Sequence, residues 1–262
     1  EEHLSQVEDN DEEAPVAMFA TSANNREDFF QELRLSSAVG QRLTWLVGLS
    51  YFKQDHVGAG LVWLPPSNLF LTNGSVTNNH VRTSAVFGAT TYKFTDQIGL
   101  SLEGRYQEDE SDQGFTASGQ QMKKTFPNFM PRVILQYQPA EETNLYLTYA
   151  KGNLPGGFNA QVLEMTDDER QQLKDQVGGS AYVGEEELQN YELGWKQQLF
   201  NNRMSFDLAA YYMKWKNQQT TVQAMLYNPS HPNADPVTGL RPIQLTVGAG
   251  KTDLWGIELT AD

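Results

Sequence analysis

Residues 126–159, FPNFMPRVILQYQPAEETNLYLTYAKGNLPGGFN, contain two segments in which apolar and polar side chains alternate. The apolar or aromatic side chains on one parity are Val133, Leu135, Tyr137, Leu145, Leu147 and Tyr149. Alternation with a period of two, carried by β-branched and aromatic residues, is typical of β-strands. The link between the segments, residues 139–142, is polar and begins with a proline, so the stretch predicts a hairpin that exits into a glycine-rich loop.

The same unit recurs along the chain and predicts about nine strands, whose connections alternate in length. The short links are residues 38–41, 95–97, 139–142 and 201–203, and the long ones are residues 54–80, 108–124, 159–186 and 227–241. Outer-membrane barrels have short periplasmic turns and longer extracellular loops. The sequence therefore predicts an all-β fold: an antiparallel transmembrane β-barrel segment.

Composition narrows the class of protein further. The 262 residues carry a formal net charge of −14 and include no cysteine. The negative charge argues against binding to nucleic acid, and the lack of cysteine excludes a disulfide framework or a cysteine-based metal site. No run of 18 apolar residues is present, which excludes a membrane-spanning helix. Barrel strands remain compatible, because they expose only every second side chain to lipid.

Charged residues fall within the predicted strands on the parity opposite the apolar series. They are Glu32, Arg34, Glu103, Arg105, Arg132, Glu192 and Lys196. An arginine or lysine that faced lipid at the bilayer midplane would cost about 2–4 kcal/mol. We therefore expect these side chains to point into a polar lumen. In a soluble sandwich the same residues would face water, so that alternative stays open here.

Two further segments carry local predictions. Residues 166–169, Thr-Asp-Asp-Glu, form a capping box, which predicts a short surface helix over residues 167–177 with too few apolar residues for a core face. Residues 1–26 are polar and acidic and predict a solvated loop, with calcium ligation as the lesser alternative. Near residue 250, Lys251 and Asp253 interrupt an apolar face, which predicts a bulge or an exit from the apolar band.

No pattern of an enzyme is found, and the sequence predicts no cofactor and no metal site. Residues 247–252, VGAGKT, have part of a phosphate-binding loop, but Leu245 stands where its first glycine belongs and the following residues alternate as a strand. The four histidines are scattered through predicted loops without metal-ligand spacing.

Several blocks of the sequence resemble the barrel of TonB-dependent outer-membrane receptors. They are FFQELRLSS (29–37), LTWLVGLSYF (43–52), residues 126–160, NYELGWKQQLFNNRMSFDLAAYYMKWKNQQ (190–219) and GKTDLWGIELTAD (250–262). The resemblance implies a 22-stranded barrel filled by an N-terminal plug, with uptake driven by the inner-membrane TonB complex. About nine strands cannot close such a cylinder. We therefore expect residues 1–262 to be part of the barrel domain, with the plug and the other strands outside this chain.

The resemblance also implies a function in the bacterial outer membrane. We expect active uptake of a small, scarce extracellular ligand: ferric siderophores are the commonest class, while glycans and cobalamin stay open. The expected partners are outer-membrane lipid, the protein's own plug, the TonB complex and that ligand. The resemblance implies that the charged lumen residues named above contact the plug rather than the ligand. Aromatic residues of the predicted loops are the candidates for ligand contact. They are Trp63, Phe115, Phe158 and Tyr182. A passive porin and a soluble β-sandwich adhesin or glycan-binding module are the alternatives.

Overall fold

The computed structural model describes residues 2–9, 19–38, 40, 42–64, 69–72, 77–115, 119–201 and 203–261, with side chains described from residue 23 onward except at 59–77 and 115–118. The strands in this part of the chain are β1 (Glu2–Asp9), β2 (Phe19–Ser36), β3 (Leu43–Leu64), β4 (Leu69–Thr72), β5 (Thr77–Lys93), β6 (Ile98–Phe115), β7 (Gln120–Ala140), β8 (Thr143–Leu154), β9 (Gly157–Phe158), β10 (Tyr182–Val183), β11 (Glu186–Leu199), β12 (Met204–Tyr227) and β13 (Leu240–Ala261). A 3₁₀ helix, Ala160–Glu164, and an α-helix, α1 (Asp167–Val177), complete the described elements.

Neighbours in the main sheet follow each other along the chain. The order is β1-β2-β3-β5-β6-β7-β8-β11-β12-β13, with β4 paired to β3, while β9 and β10 form a separate pair. Consecutive strands run antiparallel, as in the β11–β12 and β12–β13 pairs. The nine predicted strands are therefore present as β2, β3, β5, β6, β7, β8, β11, β12 and β13, and the all-β antiparallel prediction is confirmed.

The hairpin predicted over residues 126–159 is confirmed in its register. β7 and β8 meet at a turn formed by Glu141 and Glu142, and Leu135 pairs with Leu147. The irregular step in this ladder lies next to the turn, between Tyr137 and Ala140. Pro139 explains it, because proline has no backbone N–H to donate to the ladder.

The strands are longer than the sequence predicted, and two of the four predicted long loops, 54–80 and 108–124, are mostly strand. β6 continues to Phe115 and β7 begins at Gln120, through the predicted loop 108–124. β3, β4 and β5 likewise occupy most of residues 54–80, and β1 and the start of β2 lie in the predicted N-terminal loop. The physical reason is that a segment such as residues 108–114, EDESDQG, is polar on both parities, so it lacks the apolar alternation that identifies half-buried strands.

The chain divides into two compact units. The first comprises residues 1–33, 49–85 and 107–127, and the second comprises residues 34–48, 86–106 and 128–262. In the first unit, Met122 and Phe126 of β7 are almost fully buried, and the Thr83 hydroxyl donates to Asp109 at 2.6 Å. Ion pairs also link its strands, with Glu110 between Arg82 and Lys123.

In the second unit, one face of the sheet is apolar and exposed. Across β8, β11, β12 and β13 one row consists of Leu147, Leu193, Ala210 and Ile257, of which Leu147, Leu193 and Ile257 are 53%, 60% and 70% exposed. A β-sandwich would bury this row against a second sheet. The sandwich alternative is therefore wrong.

The irregularity predicted near Lys251 lies in the β12–β13 ladder. Pairing passes from Lys216–Lys251 directly to Gln218–Ala249, so that Asn217 and Gly250 are skipped. Both skipped residues have positive φ, 53° and 63°. Because one residue is skipped on each strand, the register is kept on both sides of the irregularity.

The α-helix begins and ends where the capping box predicts. Thr166 is the N-cap, and Gly178 ends the helix in the left-handed conformation with a φ of 68°. The prediction that the helix has no core face is wrong, since Leu173 is fully buried. Within the described ranges, no helix is long and apolar enough to cross a bilayer.

Candidate functional site

Charged and polar side chains on the face opposite the exposed apolar row contact each other across neighbouring strands. Arg132 of β7 lies 3.5 Å from Glu103 of β6, and Lys196 of β11 lies 3.4 Å from Asp207 of β12. Glu192 accepts a hydrogen bond of 2.7 Å from the Tyr146 hydroxyl. These contacts make this face of the second unit a polar surface.

The remaining charged residues predicted for this face lie on β2 and β6. Arg34 and Arg105 both stack over the Phe87 ring, each 5.7 Å from its centroid. Such cation–π contacts attract a guanidinium to the face of an aromatic ring and fix its position. Glu32 is half-buried and has a partner of its own.

Two tyrosines on this polar face lie over glycines of the next strand. The Tyr146 ring covers Gly194, and the Tyr211 ring covers Gly256, so that a Cβ at either glycine would overlap the ring. The aromatic ring fills the space that a side chain would otherwise occupy. The two glycines therefore set how closely these rings lie against the sheet.

We expect Gly194→Ala to lower the free energy of unfolding of the full receptor by about 1–3 kcal/mol, since the added methyl group forces the Tyr146 ring off its position. The displaced hydroxyl also loses its bond to Glu192. Denaturant unfolding in lipid vesicles measures the change. Gly152→Ala is the matched control, because nothing lies within 4 Å of a Cβ at that position. Equal losses for the two variants would contradict the assignment.

At the other ends of the strands, residues 155–185 fold onto the distal hairpin, which we define as residues 217–250 of β12, β13 and their connection. We call residues 155–185 the cap. A hydrophobic cluster joins the two parts: Val162, Met165 and Leu173 from the cap, and Ala224, Leu226, Ile243, Leu245 and Val247 from the hairpin. Burial of this shared cluster stabilises the cap against the distal hairpin.

Amide side chains of the cap bind the backbone along both outer edges of the distal hairpin. Gln172 donates to the Tyr227 carbonyl at 3.0 Å and accepts from its N–H at 2.8 Å, and Gln176 contacts Met225 in the same way. On the β13 side, the Asn159 side-chain amide donates to the Thr246 carbonyl at 2.7 Å and accepts from the Thr246 N–H at 3.0 Å. The cap therefore satisfies edge groups that would otherwise lack partners.

A buried ion pair fixes α1 to β13. The Glu169 carboxylate is 2% exposed and accepts two hydrogen bonds from Arg241, from Nε at 3.0 Å and from a terminal nitrogen at 2.8 Å. Burial alone would raise the pKa of Glu169, but hydrogen bonds from the Thr166 backbone and from Arg241 outweigh it and lower the pKa to about 2. The carboxylate is thus charged at neutral pH, and Arg241 neutralises it.

The pKa of Glu169 makes docking of the cap depend on pH. Its folded-state pKa of about 2 lies below the ordinary glutamate pKa of 4.5, so its contribution is complete above pH 4.5 and is lost as the pH falls toward 2. The loss should reach roughly 3 kcal/mol at most. Amide hydrogen exchange of α1, corrected for intrinsic rates, measures it. Glu169→Gln should flatten the dependence; an unchanged pH profile in that variant would contradict the assignment.

The structure brings together two of the four predicted ligand-contact residues. Phe158 pairs with Tyr182 in the β9–β10 ladder, and the two rings lie edge to face with centroids 5.8 Å apart. Tyr182 is exposed and Phe158 is half-buried, so the pair presents an aromatic surface on the cap. Trp63 and Phe115, predicted in loops, lie in β3 and β6, and their side chains fall outside the described residues.

The residues that hold the cap were missed from the sequence. The capping box locates Glu169 but gives no indication of its partner, since Arg241 lies 72 positions further along the chain. Gln172 and Gln176 do have a detectable pattern, because glutamines four apart share a face of a helix. In the described part of the chain, no group of three or more His, Asp or Glu side chains is arranged to hold a metal ion.

The sequence matches a known protein family. The family model named TonB dependent receptor-like, beta-barrel matches residues 6–262. Among solved structures, the ferric yersiniabactin uptake receptor FyuA from Yersinia pestis is similar at 17% identity with a TM-score of 0.69, over 99% of this chain and 35% of that one.

Two other solved structures share the fold. The copper transporter OprC is 11% identical with a TM-score of 0.68, over 99% of this chain and 39% of that one. The ferric preacinetobactin receptor BauA from Acinetobacter baumannii is 15% identical with a TM-score of 0.57, over 93% of this chain and 34% of that one. The chain spans about a third of the length of the structures it matches.

Proposed function

Because this chain belongs to the TonB-dependent receptor β-barrel family, we propose that it is part of a receptor that takes up a scarce extracellular ligand by energy-coupled transport. Its location is the bacterial outer membrane. The family match over residues 6–262 is the observation that carries the proposal. We also propose a plug domain and the TonB complex as partners of the complete protein, and family membership supports both.

The cap is the proposed ligand-contact element. With the short turns in the periplasm, the distal hairpin and its cap extend outside the cell. The Phe158–Tyr182 pair would offer flat aromatic contact at low cost in side-chain entropy. Trp63 and Phe115 remain candidates, since they lie at the ends of β3 and β6 that are away from the short turns.

A ferric siderophore is the proposed ligand class. FyuA is named as a ferric yersiniabactin uptake receptor and BauA as a ferric preacinetobactin receptor, whereas OprC is named as a copper transporter. At identities of 11–17% these likenesses concern the fold. The ligand class is therefore the first quantity to measure.

The polar face would hold the plug. We propose that Glu32, Arg34, Glu103, Arg105, Arg132, Glu192 and Lys196 contact it, since charged side chains on this parity avoid lipid. The partners that several of them already have, such as Glu103 for Arg132, would keep these groups compensated while the plug moves.

Uptake of labelled ferric siderophores by a deletion strain that carries the complete gene tests the function. We expect uptake that saturates and that stops with a protonophore or when TonB is deleted. A passive porin would instead give uptake that does not saturate and does not depend on the membrane potential, which would overturn the proposal.

The cap's role is tested separately by Phe158→Ala with Tyr182→Ala. We expect at least tenfold weaker ligand binding, because aromatic hot spots contribute about 2 kcal/mol or more and about 1.4 kcal/mol corresponds to a factor of ten. Equilibrium binding to the purified receptor measures it. Phe200→Ala is the control, since that ring is exposed in the short turn between β11 and β12, at the opposite end of the strands. Unchanged affinity in the double variant would exclude the pair from the binding site.

A further inference from the structure

An aromatic row crosses four strands on the exposed apolar face of the second unit. Tyr149, Tyr191, Tyr212 and Trp255 occupy facing positions on β8, β11, β12 and β13. The ring centroids of Tyr149 and Tyr191 lie 5.1 Å apart, those of Tyr191 and Tyr212 lie 6.4 Å apart, and Trp255 is 79% exposed. Aromatic rows of this kind mark the boundary between hydrocarbon and headgroups.

Lysines follow directly beyond this row, on the same face and away from the short turns. The next facing positions hold Lys151, Gln189, Lys214 and Asp253, and the positions after them hold Asn153, Glu187, Lys216 and Lys251. We call Lys151, Lys214, Lys216 and Lys251 the lysine patch. The four lysines thus belong to the two rows of facing residues that follow the aromatic row on this face.

Contacts within this region hold the lysines in place. Glu187 lies between Lys151 and Lys216, at 2.7 Å and 3.0 Å. The Lys214 ammonium stacks over the Tyr212 ring at 5.6 Å, and the Tyr212 hydroxyl donates to Asp253 at 3.0 Å. The ammonium groups of Lys151, Lys214 and Lys216 are therefore held beside the aromatic row.

The charge of the patch is opposite to that of the chain. Its four lysines face two carboxylates, Glu187 and Asp253, whereas the chain as a whole has 33 acidic and 19 basic residues. An excess of positive charge at this one level of the strands is complementary to an anion located where the hydrocarbon ends. It does not suit a ligand inside the lumen, because the patch lies on the opposite face.

We propose that the lysine patch binds phosphate groups of anionic lipid headgroups in the outer leaflet. A lysine ammonium is a compact charge on a flexible stem, so it can meet a phosphate while its methylene groups lie against the apolar surface. Several such contacts at one level would fix the height and tilt of these strands in the bilayer. The proposal rests on the orientation of the barrel and is independent of which ligand is transported.

The test compares lipids on the purified full-length receptor in neutral detergent. Short-chain phosphatidic acid and short-chain phosphatidylcholine are titrated at low and high salt, with binding followed by native mass spectrometry. We expect at least tenfold tighter binding of phosphatidic acid, and a preference that shrinks as salt rises. Equal binding of the two lipids would overturn the proposal.

A triple variant, Lys214→Gln, Lys216→Gln and Lys251→Gln, locates the effect and leaves Lys151 paired with Glu187. We expect it to lose at least fivefold of the preference. The control removes the same charge elsewhere with Lys93→Gln, Lys174→Gln and Arg203→Gln, and should keep the preference. Equal losses in the two variants would show a general charge effect and overturn the assignment.

Two further measurements complete the test. Inorganic phosphate at the concentration of the lipid should not compete; full competition would identify a free-anion site instead of a lipid site. Heat-modifiable migration in detergent checks that each variant is folded. If the glutamine variant fails to fold, the corresponding triple arginine variant should keep the preference for phosphatidic acid, and loss of the preference there would overturn the proposal.

Discussion

Arg241→Ala should release the cap from the distal hairpin. Removal of the guanidinium leaves the Glu169 carboxylate buried and charged without its partner, and breaking a buried ion pair in this way costs about 3–5 kcal/mol. The cost falls on the local opening of the cap, since Glu169 lies in α1 and Arg241 in β13. Amide exchange in α1 should therefore accelerate by at least a hundredfold, because about 1.4 kcal/mol corresponds to a factor of ten.

A matched variant and a double variant make this result specific. Lys174→Ala removes an exposed cation from the same helix and should change exchange by less than threefold. Glu169→Gln added to Arg241→Ala should recover part of the loss, since the buried group is then neutral. If Arg241→Ala and Lys174→Ala accelerate exchange equally, the ion pair does not hold the cap.

Leu173→Ala should destabilise the cap by a different route. Leu173 is 0% exposed and lies in the cluster that joins α1 to β12 and β13. Truncation of a buried leucine to alanine costs about 2–5 kcal/mol, through lost burial and the cavity that remains. We expect α1 to lose most of its exchange protection while the strands of the second unit keep theirs, because each part has its own contacts.

Leu154→Ala provides the comparison for the leucine truncation. Leu154 is exposed at the end of β8, so its removal should cost about 0.5 kcal/mol or less. Loss of protection throughout the sheet in Leu173→Ala would mean that the cap does not fold as a unit of its own and would contradict this account.

The sequence predicts the part of this fold that the membrane constrains. Where one face is apolar and the other polar, as in Val133–Tyr137 and Leu145–Tyr149, the alternation locates strands, turn and register. Where both parities are polar, as in residues 108–114 of β6, no such alternation exists, and a strand resembles a polar loop. Two of the predicted long loops, 54–80 and 108–124, are therefore mostly continuations of the strands beyond their apolar segments.

In the candidate site too, the sequence predicts local features but not contacts between distant residues. The capping box of Thr166 and Glu169 is local, so the sequence predicts the helix and its bounds. The partner of Glu169 depends on a contact across 72 positions, which no local pattern encodes. Phe158 and Tyr182 were each singled out as aromatic residues of a loop, but only the β9–β10 ladder brings the two rings together.

The central claim is that alternate side chains of these strands meet lipid on one face and water on the other. These 262 residues contain no cysteine, so Leu193→Cys and Glu192→Cys each add one spin-label site to a membrane-embedded receptor in which any cysteine outside them is replaced by serine. Accessibility to oxygen and to a water-soluble nickel chelate then separates the two environments. We predict that the label at 193 contacts oxygen far more than the chelate and that the label at 192 does the reverse. Equal accessibility at the two positions, or the opposite order, would contradict the account.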